Sequence, residues 1–334
     1  VKGRAVLVVS ILFVVALVCG YLVAANVNLL PEVASTRGEL MQRLFNYLLG
    51  AATVVFVLVE GLLAYSVLRF RRRPGDDGEG AAIHGNTGLE VFWTAIPALL
   101  VVVIAVYSFR TLSAGEAASE RPMVVEVIGR QFAWEFRYPE QGLTSSDLHL
   151  PVGTPVRFEI TSEDVIHSFW VPNFLAKRDA TPGQVSEFDV TPSEVGVFPV
   201  RCAELCGPGH AAMVSQVIVE SPEAFEAWIE RMANLPSDPT EAGRLLFGRY
   251  GCTGCHVLAD AGASGLVGPS LEGLGARAGE TVPGLDAEAY LRQSILEPKA
   301  HIVPTFLENI MPADFASRIP PQELDLLVTY LAGR

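Results

Sequence analysis

Two short segments of the 334-residue chain gather its soft metal-binding side chains. The first is Cys202-Ala203-Glu204-Leu205-Cys206-Gly207-Pro208-Gly209-His210-Ala211-Ala212-Met213, with His167 upstream. Two thiolates, two imidazoles and a thioether favour copper, zinc or an iron–sulfur cluster over hard cations. A mononuclear blue-copper site uses one cysteine, two histidines and a weak axial methionine, and this segment holds one cysteine more. Two cysteines four apart on one loop can each bridge two metals. One histidine then remains for each metal, Met213 is a weak axial ligand on one side, and a backbone carbonyl near Glu204 serves the other. A Cys202–Cys206 disulfide and a zinc site are the competing readings, and neither accounts for the thioether. The second segment, Cys252-Thr253-Gly254-Cys255-His256, has the spacing of c-type haem attachment. Its thiols would add to the haem vinyl groups, and His256 would become the proximal axial ligand. Met311-Pro312 follows. A thioether opposite a histidine raises the reduction potential and suits an electron carrier, with His301 as the competing distal ligand.

These segments need scaffolds, and the pattern of the chain supplies them. From Met123 to about Ser221, runs such as Val124–Ile128, Val156–Ile160 and Val214–Val219 alternate or are β-branched. Pro151-Val152-Gly153 and Pro182-Gly183 punctuate them, which predicts a β-sandwich or barrel. Pro222–Ala233 reads as a closing amphipathic helix. Leu235–Pro239 reads as a linker, followed by a helix over Thr240–Tyr250 with Thr240 as its N-cap. Leu324, Leu327, Val328 and Leu331 recur at helical spacing in a final helix, Pro321–Leu331.

Ahead of both lie three apolar stretches. Ala5–Ala25 follows Lys2 and Arg4 and reads as a signal peptide with Val23-Ala24-Ala25 as its cleavage site, or as an N-terminal span. Cys19 within it reads as an inert apolar cysteine rather than a lipidation site. Leu44–Phe70 ends in Arg69, Arg71, Arg72 and Arg73, and Val91–Phe109 follows a loop rich in Gly and Asp. The arginines place that loop in the cytoplasm, so the two spans form a hairpin and everything after about residue 112 lies outside. Glu60 inside the first span must face protein or water rather than lipid. Pro97 should kink the second. Neither span carries a histidine, so the hairpin holds no haem through one. His84 and His149 read as solvated.

Half of the residues are hydrophobic and 18% charged, which excludes a disordered chain. The net charge of −13 argues against nucleic acid and suits a cationic protein partner. Five cysteines are too few for a disulfide scaffold.

The chain resembles subunit II of haem-copper cytochrome c oxidases. The resemblance is carried by Glu90-Val91-Phe92-Trp93-Thr94-Ala95-Ile96-Pro97, Gly129-Arg130-Gln131-Phe132-Ala133-Trp134, Asp164–Phe169, Lys177–Gly183 and the cysteine loop. With the Cys252–His256 segment, Gly268-Pro269-Ser270-Leu271 and the closing helix, which resemble a class I cytochrome c, the likeness is to a subunit II fused to cytochrome c, as in caa-type oxidases. It implies a multidomain chain: a signal peptide or N-terminal transmembrane segment (1–25), a transmembrane α-helical hairpin (40–112), a β-sandwich cupredoxin domain (113–234) and an all-α class I cytochrome c domain (240–334).

The resemblance also implies a dinuclear CuA centre. Cys202 and Cys206 would bridge both coppers, His167 and Met213 would complete one, and His210 and the Glu204 carbonyl the other. The Glu204 carboxylate would reach a magnesium shared with subunit I. Glu90 would stand near a proton-channel entrance, the competing reading being a carboxylate favoured by its helix N-terminus. The family's electron-entry tryptophan is replaced by Phe132, whereas Trp134 is kept, so electron entry would follow another route through the haem domain. Electrons would enter at the covalent haem c, pass to CuA, and go on to haem a and the oxygen-reducing centre of subunit I in a proton-pumping oxidase. The electron-entry subunit of a CuA-containing nitric oxide reductase is the alternative. Implied partners are subunits I and III, membrane lipid, and cytochrome c or a quinol:cytochrome c reductase as donor. The implied place is the bacterial cell membrane, multi-pass, with both cofactor domains on the periplasmic side.

Overall fold

The structure is a computed structural model and describes residues 2–72, 74–75, 78, 84–115, 121–306, 308 and 310–334. It divides into two units, one made of residues up to 117 apart from 34–38, the other of residues 34–38 and 118–334.

The first unit holds three long helices, α1 (Lys2–Asn26), α2 (Thr36–Phe70) and α3 (Thr87–Gly115). All three are long and apolar enough to cross a bilayer, for which about 20 residues suffice. Helix α2 starts at Thr36, well before the expected Leu44, and α3 outlasts the expected Val91–Phe109 at both ends. Polar residues such as Glu39, Arg43 and Arg110 extend the helices beyond their apolar centres. Close backbone approach joins α1 to α2: a Cβ on Gly20 would lie 2.9 Å from the Gly50 carbonyl oxygen. Tyr47 and Tyr107 join α2 to α3 edge to face at 5.2 Å. Apolar side chains such as Phe56, Leu63, Val101 and Phe109 stay exposed on these helices, as surfaces meant for lipid or another chain are. Glu60 is exposed among them. At the start of α3 Asn86 caps the helix, its side chain accepting from the Leu89 N–H at 3.2 Å, while the Glu90 carboxylate accepts from the Asn86 N–H at 3.2 Å. Glu90 thus closes a helix N-terminus.

The second unit opens with two five-stranded sheets. One has the order β3 (Leu143–Ser145), β2 (Ala133–Tyr138), β1 (Met123–Arg130), β5 (Val156–Ser162), β8 (Ser186–Val190). The other has the order β4 (Leu148–Pro151), β10 (Val214–Glu220), β9 (Gly196–Cys202), β6 (His167–Val171), β7 (Ala176–Ala180). The pairs β1–β5 and β4–β10 are parallel and the others antiparallel. The three strand runs read from the sequence lie in β1, β5 and β10. Alternation fixes which face is inside: β2 buries Trp134, Phe136 and Tyr138 and turns Ala133, Glu135 and Arg137 outward. A one-residue slip would reverse that assignment. Phe169 sits at the centre of the core, with Trp134, Phe136 and Phe158 packed edge to face around it at 5.4–6.1 Å. Each such pair adds about 0.5–1.5 kcal/mol beyond its burial.

Helix α4 (Pro222–Ala233) closes the sandwich, capped by Ser221 and burying Phe225, Trp228 and Met232. The expectation of a solvated His149 fails here. Its ring stacks on Trp228 at 4.2 Å, and Nδ1 lies 2.8 Å from Glu220. The apolar face of α4 needed a flat partner, and the outward position of His149 on β4 supplies one.

Residues 239–334 form helices α5 (Pro239–Arg249), α6 (Leu274–Thr281), α7 (Ala287–Leu296), α8 (Phe315–Arg318) and α9 (Pro321–Ala332), with a minimal hairpin of β11 (Val257–Leu258) and β12 (Ala263–Ser264). The expected Thr240 cap is corrected: Asp238 caps α5, accepting from the Glu241 N–H at 2.9 Å, and Pro239 takes the first helical position. Proline is suited to that position because its N–H would be unpaired there. Helices α5 and α9 cross closely at Gly243, where a Cβ would strike Tyr330 and the Leu326 carbonyl.

Candidate metal centres

At the first centre, strand pairing does the positioning. His167 opens β6 and Cys202 closes β9, and these strands pair with Phe169 opposite Cys202. The Cys202 N–H donates to the Met213 carbonyl at 3.1 Å, which ties off the intervening loop. Within it a 3-10 turn, His210–Ala212, holds His210. Cys202 Sγ lies 3.9 Å from His167 Nδ1, 3.3 Å from the Glu204 carbonyl oxygen and 3.9 Å from Cys206 Sγ. Cys206 Sγ lies 3.5 Å from His210 Nδ1 and 3.9 Å from Met213 Sδ. All six residues expected from the sequence therefore meet in one cluster. Both cysteines are free thiols, so the disulfide is not what the structure contains. Donors sharing a metal at ~2.0–2.3 Å stand about this far apart, so the cluster fits a metal centre. His167, Cys202 and Met213 are buried, and among the described residues His167, Cys202 and Cys206 are the group able to hold an ion. The Glu204 side chain is exposed.

Hydrogen bonds and burial set the protonation of the cluster. Asp164 Oδ1 lies 2.8 Å from His167 Nε2, and the Asp164 carboxylate also accepts from the N–H groups of Gln131 and Val165. That bond turns Nδ1 toward the sulfurs, as a carboxylate behind a ligand histidine does. Burial alone would raise the Asp164 carboxyl, but these donors hold it below its usual value. Burial alone would lower His167, but Asp164 and Cys202 lift it to about 9. Burial opposes ionisation of Cys202 too, yet the His167 hydrogen bond brings it down, while burial and the Cys202 charge push Cys206 up. Asp164 carries a role that metal-ligand spacing could not reveal; its signal was a carboxylate three residues before a ligand histidine. Gln131 is another such residue, its side-chain amide donating to the Cys206 carbonyl at 2.5 Å.

Phe132, expected where the family docks a donor, is only 1% exposed. Its ring lies under the cysteine loop, where a Cβ on Gly209 would strike it. Trp134 is equally enclosed, packed edge to face on His167 at 6.0 Å. Neither side chain offers a surface to an external protein.

The second centre is a cavity of about 410 Å³ walled by Cys252, Cys255, His256, His301 and Met311. Small-molecule pockets run from about 300 to 1,000 Å³. A 3-10 turn over Cys252–Gly254, entered through Gly251 at φ 78°, folds the Cys252–His256 segment back so that the His256 N–H donates to the Cys252 carbonyl. His256 Nδ1 donates to the Pro269 carbonyl at 2.8 Å, leaving Nε2 as the ligand atom. Gly268 lies flat against that ring; a Cβ there would be 2.7 Å from Cε1. Burial pushes the Cys252 thiol up to about 12 and Cys255 to about 11, and it lowers His256. A neutral imidazole, two thiols and a thioether around an apolar cavity fit a haem. Both Met311 and His301 lie in the wall, with His301 packed edge to face on Tyr290 at 6.0 Å.

Residues 23–111 match the family model for the cytochrome c oxidase subunit II transmembrane domain, and residues 142–221 that for its periplasmic domain. The chain is 38% identical over 268 residues to cytochrome c oxidase subunit 2 of Thermostichus vulcanus, covering 64% of this chain and 82% of that protein. It is 31% identical over 295 residues to cytochrome c oxidase subunit 2 of Alkalihalophilus pseudofirmus, covering 83% and 82%. The crystal structure of the periplasmic domain of subunit II of cytochrome oxidase of Bradyrhizobium japonicum is similar at 29% identity, over 34% of this chain and 95% of that chain, with a TM-score of 0.33. Membrane helices, a cupredoxin-like β-domain and a buried histidine–cysteine cluster thus converge: the chain belongs to the cytochrome c oxidase subunit II family, as an electron-transfer subunit of a haem-copper oxidase.

Proposed function

We propose that the chain takes single electrons at a covalent haem c in its C-terminal domain and passes them to a dinuclear CuA centre in its β-domain, from which they reach haem a and the oxygen-reducing centre of subunit I. The gathering of Cys202, Cys206, His167, His210, Met213 and the Glu204 carbonyl within 3.3–3.9 Å steps carries this reading. A thiolate-bridged copper pair spreads one electron over two metals, which keeps ligand rearrangement small. Cys202 and Cys206 supply the bridges, and Asp164 holds His167 in the tautomer that presents Nδ1.

Cys252, Cys255 and His256 would hold the haem, with Met311 as the distal ligand and His301 as its competitor. The cavity and the Pro269-oriented imidazole support this. The reading takes 113–234 as the β-domain and 240–334 as the haem domain, joined by residues 235–239. The Glu204 carboxylate, being exposed, is free to reach a magnesium at subunit I. Glu90, which caps α3, would stand near a proton-channel entrance of subunit I. Subunits I and III, lipid and a cytochrome c or quinol:cytochrome c reductase are the partners, with both cofactor domains on the periplasmic face of a bacterial cell membrane.

Purification of the membrane complex with its subunits intact tests the proposal. Two coppers and one covalent haem assigned to this chain, with oxygen uptake by the complex, are expected. Nitric oxide consumption without oxygen uptake would move it to the reductase reading, and a haem-free chain would remove the proposed entry point.

A further inference from the structure

The outward face of β2 is covered by the C-terminal domain. Gly254, between the two haem-attachment cysteines, stands so that a Cβ on it would be 3.5 Å from Ala133 Cβ. Next to it the hydroxyls of Thr253 and Ser146 are 2.5 Å apart. Two residues along the strand from Ala133, Glu135 receives Arg318 Nη2 of α8 at 2.7 Å and Arg137 Nε of its own strand at 2.6 Å. Arg130 joins the group, 3.8 Å from Glu135, 3.8 Å from Asp314 beside α8 and 2.7 Å from Glu163. The side chains of Glu135, Arg130 and Arg318 are only 14–20% exposed.

We propose that the Glu135–Arg318 ion pair is a latch that fixes the orientation of the C-terminal domain on the β-domain, seating the Cys252–His256 loop on β2 for electron transfer toward the cysteine loop. The proposal deepens the functional reading above and rests on it for the identities of donor and acceptor. The tether between α4 and α5 is short, residues 234–238, which keeps the domain close but does not choose which face it turns. Electron transfer falls off exponentially with distance, so orientation decides the rate. Exposed ion pairs contribute little and vanish in salt; a pair this enclosed resists screening, and when one partner is lost Glu135 keeps Arg137 and Arg318 keeps Asp314, contacts that lie within one domain and do not join the two. From β2 the link onward is short: Gln131, in the turn before the strand, donates to the Cys206 carbonyl. In the step itself the donor iron gives up one electron and the copper pair gains it, with no bond made or broken. Glu135 and Arg318 act as positioning residues.

The test uses the intact oxidase complex with Glu135→Gln, Arg318→Gln and the double variant. Flash-initiated electron transfer between the two centres is measured alongside limited proteolysis of the 234–238 linker. Each single substitution should slow transfer about ten-fold and speed linker cleavage, and the double should be no worse than the worse single, as for two partners in one network. Copper content, haem content and the spectra of both centres should be unaltered. Wild-type rates and cleavage in the singles, or additive losses in the double, would overturn the latch. Absence of haem or copper from the unsubstituted chain would overturn the functional reading instead, and the cleavage pattern, which needs no cofactor, would still decide the latch.

Discussion

At the scale of single residues, the metal cluster is governed by groups that bind no metal. Asp164 fixes the tautomer of His167, and Gly129 makes room for its ring, since a Cβ there would lie 2.9 Å from His167 Cδ2. Asp164→Asn keeps the size of the side chain but removes the charge that favours Nε2–H. Copper affinity should fall by about 10–100-fold, the usual cost of losing such support, while folding is retained. Copper titration of the variant complex checks it, and unchanged affinity would show that strand geometry alone orients the ring. The residues of the cluster were legible because cysteine, histidine and methionine at fixed spacing have few other uses. Their supports were not, since a carboxylate or a glycine gains its meaning only from the partner the fold brings to it.

At the scale of elements, patterning foretold strands β1, β5 and β10, helix α4 and the last helix, and erred where a cap or a packing partner decides. The start of α5 is one case, because Asp238 and Thr240 are both good caps and only the fold chooses. His149 is another: no local pattern announces a stack on Trp228. That stack makes a pH prediction. Burial lowers the His149 pKa below its ordinary 6.5, against the opposing pull of Glu220. A histidine whose folded pKa is depressed is protonated more readily in the unfolded chain. Its contribution to stability is therefore present above 6.5 and lost as pH falls below it toward the folded pKa. The melting temperature of the wild-type chain should drop more steeply between pH 7 and 5 than that of His149→Gln, and parallel curves would contradict this. The α5–α9 crossing makes a second prediction. Gly243→Ala places a Cβ against Tyr330 and the Leu326 carbonyl, an overpacking that costs about 1–3 kcal/mol. Calorimetry of the intact complex should show the C-terminal domain melting earlier with the copper absorption unchanged.

At the scale of the whole molecule, the chain joins three apolar helices long enough to cross a bilayer to a β-domain of the subunit II periplasmic type that holds a cysteine–histidine cluster. The membrane and β-domain parts were readable from hydropathy and motif spacing. The ion-pair network that closes the C-terminal domain over β2 was not, because Glu135 and Arg318 are far apart in sequence and unremarkable in type. Phe132 is enclosed separately, under the cysteine loop. With the outer face of β2 covered and Phe132 under the cysteine loop, neither offers a surface to an external protein. Electron paramagnetic resonance of the copper in the intact, partly oxidised complex tests the central claim most directly. The account predicts one unpaired electron shared equally by two copper nuclei, a signature lost in Cys206→Ser. A signal from a single copper nucleus, or a centre holding zinc in place of copper, would contradict it.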